Sequence, residues 1–157
     1  MPLKNRFFWI AAVVSLILDQ LTKYLVVQTF ELGKGIALWP GVFHLTYVRN
    51  TGAAFSLFQG ADWLRWLSLI VSLGLIALAW FGPKLITFEQ LGYGFILGGA
   101  LGNGIDRFAA GYVVDFLDFR LIKFPVFNIA DVCINVGIAC LLIASFRQSA
   151  SSARRSR

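Results

Sequence analysis

Apolar residues run in four long blocks along this chain, and polar residues gather between them. A helix needs about 20 residues to cross a bilayer, and each block comes near that length. The pattern predicts transmembrane helices over 7–27, 63–81, 91–108 and 129–146. In the third block Gly94, Gly98 and Gly102 recur every fourth residue, a small-residue stripe suited to close helix packing. Gly99 beside it leaves room for a backbone or a substrate chain to approach. The connection between the first two blocks has a different rhythm. Phe43, Leu45 and Tyr47 alternate, bounded by Gly35, Pro40 and Gly41, which predicts a short strand or hairpin. A packed interfacial loop fits the same pattern. A small sheet there would suit an extended peptide ligand. The connection 109–128 reads as a second outer loop, and the Ser, Ala and Arg of 149–157 as a disordered basic tail. The predicted fold class is an all-α membrane protein. It has four transmembrane helices, a small β-rich outer cradle and a second outer loop, in one domain over 1–157.

Composition agrees. Of 157 residues 58% are hydrophobic and only 14% charged, too few charges to clothe a soluble core. Trp9, Trp39, Trp63, Trp66, Trp80, Tyr24 and Tyr112 fall mostly near the block ends, as interfacial aromatics do. Lys4 and Arg6 before an apolar run resemble the start of a signal peptide. The run continues through Asp19, Thr22 and Lys23 with no small-residue cleavage pattern, so a retained first span is expected. Cys133 and Cys140 lie seven residues apart in an apolar run, about 10.5 Å along a helix and too far for a disulfide. They read as small buried hydrophobes.

The net charge of +6 is informative through its location. With both termini cytoplasmic, Lys4, Arg6, Lys84, Arg147, Arg154, Arg155 and Arg157 lie inside against Glu89 alone, and carry the whole excess. The outer connections 28–62 and 109–128 each balance to zero. Lys23, Arg65 and Arg107 balance Asp19, Asp106 and Asp131 within or beside the spans. This is a topology signal and a contact with anionic membrane lipids, not a nucleic-acid footprint.

Five aspartates sit in or beside the apolar blocks: Asp19, Asp106, Asp115, Asp118 and Asp131. An ionised carboxylate near a bilayer is costly and marks a functional site by default. Asp19 lies 12 residues into the first span, about 18 Å from its inner end, with Lys23 one turn further. Asn103, Asp106 and Arg107 fall at the outer end of the third span, Asn128 and Asp131 in the first turn of the fourth, and Asn50 and Asp115 in the outer connections. Four segments thus deliver polar groups to one depth, while the inner halves carry almost nothing comparable. Plainer roles exist for most. Asp19 and Lys23 can pair at i,i+4. Asn103, Asp106 and Arg107 can form a local cap and ion pair. Asn128 can cap the fourth helix by accepting the Asp131 amide. Asp131 can be a first-turn acid favoured by the helix dipole. Asp118 beside Arg120 reads as loop surface. Asp115 has no obvious structural duty.

The available chemistry is narrow. There is no HExxH, the single histidine is His44, and neither a nucleophile elbow nor a P-loop occurs. Zinc, serine-triad and nucleotide chemistry are therefore disfavoured, and nothing calls for a cofactor or metal. Two carboxylates sharing one proton remain, able to activate a water and protonate a leaving amine. Asp115 and Asp131 are the two without a basic neighbour in sequence. A small proton-coupled membrane transporter is the competing reading. It would place acids near the midplane and often show repeats, whereas these acids are one-sided. A structural membrane adaptor would need no unpaired acids.

The motifs resemble those of lipoprotein signal peptidases, the type II signal peptidases of bacteria. They are Asp19-Gln20-Leu21-Thr22-Lys23, Arg49-Asn50-Thr51-Gly52-Ala53-Ala54-Phe55-Ser56, the run from Gly98 through Asn103-Gly104-Ile105-Asp106-Arg107, Gly111-Tyr112-Val113-Val114-Asp115-Phe116 and Phe127-Asn128-Ile129-Ala130-Asp131. The resemblance spans nearly the whole chain. It implies an aspartic endopeptidase of the inner membrane, with its site on the periplasmic side. Such an enzyme removes signal peptides from prolipoproteins whose lipobox cysteine carries diacylglyceryl. It implies Asp115 and Asp131 as the catalytic dyad, with Asn50, Gly52, Asn103, Arg107, Asn128 and Ala130 around the substrate. Asp19 and Lys23 would be a supporting pair, Asp106 a structural acid, and globomycin-type cyclic peptides inhibitors.

Overall fold

A computed structural model of the chain describes residues 4–52, 60, 62–122 and 124–155. Ala53, Ala54, Phe55 and Ser56 of the second motif, Lys123 and Arg157 lie outside them. The elements follow in the order α1 (Arg6–Thr29), β1 (Gly35–Trp39), β2 (Phe43–Asn50), α2 (Trp63–Phe81), α3 (Thr87–Ala109), β3 (Val113–Phe119) and α4 (Ile129–Arg155). Each predicted span falls inside one helix.

Three helices, α1, α2 and the 129–149 part of α4, are long and apolar enough to cross a membrane. The fourth, α3, is as long, but its glycines and its Glu89, Gln90, Asn103, Asp106 and Arg107 dilute its apolar content. It is instead the hub, packed on α1, α2 and α4, while α2 has α3 as its main neighbour. The glycines explain how. A Cβ on Gly94 would collide with the Phe8 carbonyl, one on Gly98 with Ser15 and Ala12, and one on Gly102 with Asp19. On the other flank Gly99 meets Ala130 and Ile134, and Gly92 faces Gly137. The predicted stripe therefore packs on α1, and the intervening glycines admit α4.

The helices are inside-out relative to soluble ones. On α1 the buried face includes Ser15, Asp19 and Lys23, while Ile10, Val13, Ile17 and Leu21 are exposed. That arrangement is stable where the surroundings are apolar. One core cluster (Phe8, Ala12, Ala79, Leu97) joins α1, α2 and α3, and another (Val26, Tyr47, Val114, Phe116) seats the sheet on the end of α1.

The sheet is antiparallel with order β1-β2-β3. The predicted hairpin forms, turning at Pro40-Gly41 with Gly41 at φ +75°, a left-handed value that favours glycine. The second outer loop departs from expectation: its first part is β3, and the fold is not purely α. Val48 pairs with Asp115, Arg49 with Val114 and Asn50 with Val113. Two aspartates hid the strand in Val113–Phe119, yet each finds hydrogen-bond donors there, so the β-branched and aromatic residues around them prevail. The tail also departs. α4 continues to Arg155, because Ala and Arg propagate a helix that is already nucleated.

The end of the bundle away from the sheet is more polar than the sequence indicates. Buried Asn5 donates to the carbonyls of Ala79 (3.1 Å) and Pro83 (3.4 Å) and accepts from Leu85 N–H (3.0 Å). Gln90 donates to Leu85 O (2.7 Å) and accepts from Phe7 N–H (3.1 Å). This knot ties the start of α1 to the α2–α3 connection.

Candidate active site

At the opposite end, β2, β3, α3 and α4 surround a cavity of about 670 Å³ lined by Asn50, Asn103, Arg107, Asp115 and Asp131, with Phe124–Phe127, Val132, Ile134 and Val136 forming an apolar wall. Local sequence dictates how each polar group arrives. Leu117 bridges back to Phe127 after β3, so the chain reverses and sets Asn128 beside Asp115. Asn128 then starts α4 as expected: its Oδ1 accepts the Asp131 N–H (3.0 Å), and Asp131 Oδ2 accepts the Asn128 N–H (3.2 Å). This reciprocal cap satisfies donors that a helix start leaves open.

Asp115 is buried and accepts Asn50 Nδ2 at 2.9 Å and Asn128 Nδ2 at 2.7 Å. Asp131 accepts Asn103 Nδ2 at 2.9 Å. Among the described residues neither carboxylate has an ion-pair partner. Burial raises the Asp115 carboxyl to about 7 against the pull of its Asn50 hydrogen bond, and the neighbouring Asp131 charge adds to the rise. A carboxyl in that range is part-protonated near neutral pH.

The three asparagine amides are each oriented by a group that can only donate. Gly52 N–H donates to Asn50 Oδ1 (2.9 Å), Asp131 N–H to Asn128 Oδ1 (3.0 Å) and Lys23 Nζ to Asn103 Oδ1 (2.9 Å). Each amide must therefore turn its NH2 toward a carboxylate. Behind this layer Lys23 pairs with Asp19 (2.8 Å) and Asp106 (3.0 Å), all three largely withdrawn from solvent. Asp19 Oδ1 accepts the Ala130 N–H (2.9 Å), and Asp106 Oδ2 accepts the Val114 N–H (3.1 Å). One ion triad thus holds the start of α4 and the start of β3. Arg107 donates to Gly52 O (3.1 Å) and lines the cavity with both carboxylates.

The structure places Asn50, Asn103, Arg107, Asp115 and Asp131 on the cavity, while Gly52, Asn128 and Ala130 are buried beside it, with Asp19, Lys23 and Asp106 behind. Several simpler pairings give way. Asp106 and Arg107 do not form a local ion pair; one turns to Lys23 and the other to Gly52. Arg65 pairs with Asp62 on the surface rather than with an acid of the spans. Asp118 is not loop surface but a buried strand residue, accepting Arg120 Nε and Thr46 Oγ1, both at 2.8 Å. Burial raises its carboxyl, but those bonds and the Arg120 charge outweigh burial and hold it below the usual range. Sequence reasoning missed Gln20, whose amide bridges Asp19, Gly102 O and Asp106; its place beside Asp19 was the available signal. It also missed the aromatic seat of Arg49, which stacks on Tyr112 at 4.6 Å and donates to the Tyr47 hydroxyl.

Known proteins share the sequence and the fold. Residues 11–147 match the peptidase A8 family, described as signal peptidase (SPase) II. The chain is 70% identical over 151 residues to a lipoprotein signal peptidase of Gloeothece citriformis, covering 95% of this chain and 94% of the relative. It is 66% identical to that of Trichormus variabilis, covering both chains fully. Two solved structures, described as bacterial membrane enzymes determined by the in meso method, share the fold. One, at 2.3 Å resolution, has a TM-score of 0.83 and 32% identity, covering 90% of this chain and 88% of that one. The other, at 1.9 Å, has a TM-score of 0.76 and 33% identity, covering 86% and 89%. With a buried and a half-buried carboxylate on one cavity at one end of a helical membrane bundle, the chain belongs to the signal peptidase II family of aspartic peptidases.

Proposed function

We propose that this enzyme removes the signal peptide from diacylglyceryl-modified prolipoproteins by cutting before the lipidated cysteine, with Asp115 and Asp131 as its catalytic dyad. The observation that carries the reading is the pair itself: two carboxylates on one cavity, held by asparagine amides and unpaired with any cation among the described residues. Like charges so placed favour a single shared proton. In the reaction the ionised carboxylate takes a proton from water as its oxygen attacks the scissile carbonyl. The protonated one hydrogen-bonds the carbonyl oxygen and then supplies the proton that leaves with the new amine. Asn50, Asn103 and Asn128 fix the dyad. Arg107 and the backbone at Gly52 and Ala130 complete the substrate surround, and Asp19, Lys23 and Asp106 hold it from behind.

In this reading α3 crosses the bilayer with the other three helices, shielded by them. Both termini and the lysine and arginine excess lie in the cytoplasm, and the sheet and dyad lie on the periplasmic side of the inner membrane. The apolar wall of Phe124–Phe127 and α4 lies where acyl chains on the substrate cysteine would meet the bilayer. Globomycin-type cyclic peptides would compete for the same cavity. A proton-coupled transporter is set aside, since the family is enzymatic. The test is release of signal peptide from a diacylglyceryl-modified prolipoprotein in detergent, beside the unmodified precursor. Cleavage confined to the lipidated form is expected, and equal cleavage of both would refute the substrate assignment.

A further inference from the structure

We infer that Arg49 is a specificity-determining residue: its seated, unpaired guanidinium on the cavity selects prolipoproteins with an acidic side chain shortly after the lipidated cysteine. This preference among substrates rests on the substrate reading above.

Arg49 is held in place by its neighbours. It lies on β2 opposite Val114, one pair along from Val48 and Asp115. Its Nε donates to the Tyr47 hydroxyl at 3.0 Å. Its guanidinium carbon stands 4.6 Å from the centre of the Tyr112 ring and 5.8 Å from that of Tyr47. An aromatic face attracts a guanidinium so placed. Tyr47 is buried in the cluster that seats the sheet on α1, and Tyr112 packs against the same cluster. The seat therefore moves only with the fold. It occupies one of the five N–H donors of the side chain. Among the described residues nothing accepts a hydrogen bond from the other four, and Arg49 is exposed where it lines the cavity.

The chain does not neutralise this cation. All eight acids of the sequence are among the described residues, and none forms an ion pair with Arg49. Asp62, which offsets a charge of the 28–62 connection in sequence, pairs with Arg65. The other arginine on the cavity, Arg107, already donates to Gly52 O. Arg49 thus presents a planar fork with free donors, and a carboxylate is the acceptor whose geometry matches it. The substrate can bring one from one direction. Its signal peptide and acyl chains are apolar and run into the bilayer, whereas the sheet lies outside it in the reading above. The segment that follows the cysteine is the part that lies beside the sheet.

The test uses the full-length protein in detergent and diacylglyceryl-modified prolipoprotein reporters. Each of the first three residues after the cysteine carries Asp, Asn or Lys in turn. Values of kcat/KM are compared as ratios within each enzyme variant, so a change in basal rate drops out. An exposed ion pair changes affinity by about 3-fold. Gaining one with Asp and opposing one with Lys should separate the two reporters by about 10-fold at low salt at one or more positions, with Asn between. The gap should close near 1 M salt, where screening acts within about 3 Å. R49Q should remove it and R49E invert it. The wild-type enzyme alone can refute the inference: equal cleavage of Asp and Lys reporters at all three positions overturns it, as does a gap that survives in R49Q. The same reporters in vesicles of neutral or anionic phospholipid test a lipid phosphate as the occupant. A loss in R49Q that follows vesicle charge rather than reporter side chain also overturns it. If wild type cleaves no lipidated reporter, the substrate reading falls. If it cleaves all of them equally, the role of Arg49 alone falls.

Discussion

Both ends of the helical bundle bury polar side chains, and they do so in opposite ways. At the end away from the sheet, Asn5 and Gln90 bond, among the described residues, only to backbone groups, every partner is neutral, and the knot closes on itself. At the sheet end, side chains also bond one another, linking Lys23, three asparagines and four aspartates, and two of those aspartates open onto a cavity. Buried polarity alone is thus no sign of a site. A network that ends on backbone clamps helices together, and one that ends on unpaired acids facing a cavity has something left to do.

Substitutions at the two ends should separate these roles. On the proposed mechanism Asp131→Asn, like Asp115→Asn, removes a proton-transfer group and should lower cleavage by about 10²–10⁴-fold while the protein stays folded; a prolipoprotein cleavage assay beside circular dichroism measures both. The pH dependence of the outer end follows from the raised Asp115 carboxyl. Its folded value, about 7, lies above the ordinary 3.8, so the folded state holds the proton more tightly than the unfolded chain. That contribution to stability is full below the ordinary value and is lost as pH rises toward 7. Activity that needs the protonated acid should fall on the alkaline side of about pH 7. Thermal unfolding of wild type and Asp115→Asn across that range should show the slope only in wild type.

Gly98→Leu should damage both ends together, because the side chain would drive α3 from Ser15 and Ala12 of α1. Overpacking costs about 1–3 kcal/mol, and the altered helix separation should lower kcat as well; unfolding and turnover of the same preparation test the coupling. Asn5→Ala should cost about 1–3 kcal/mol by stranding the buried Leu85 N–H, yet leave kcat of the folded protein unchanged. A fall in kcat there would break the contrast between the ends. Smallest of all, Arg120→Ala at the sheet edge removes a half-exposed pair with Asp118, worth about 0–1 kcal/mol; it should shift the melting temperature slightly and barely alter cleavage.

The sequence carried the four helices because apolar run length is a strong local signal. It also carried the shared depth of Asn103, Asn128 and Asp131, because helical rise sets depth, whereas the meeting of Asp115 with Asp131 was only feasible, since Asp115 and Asn50 lie in the connections. Pairing was less legible. Asp106 stands next to Arg107 in sequence but turns to Lys23, since helix neighbours at i,i+1 do not face each other. β3 was obscured by Asp115 and Asp118, whose partners come from Asn50 and Thr46 on another strand. The inner knot was invisible because Asn5 and Gln90 act on carbonyls and amides, which leave no mark in composition.

The glycines of α3 have one further consequence. Apart from Lys23 and Arg107, the outer network is assembled largely from Asp and Asn, side chains with two rotatable bonds. Such short arms meet only where backbones nearly touch, as at Gly102 against Asp19 and Gly99 against Ala130. Were the helices spaced more widely, Glu and Gln would be needed to bridge the gap, each with another torsion to freeze on ordering. The glycines keep the conformational freedom of the acids low before any substrate arrives.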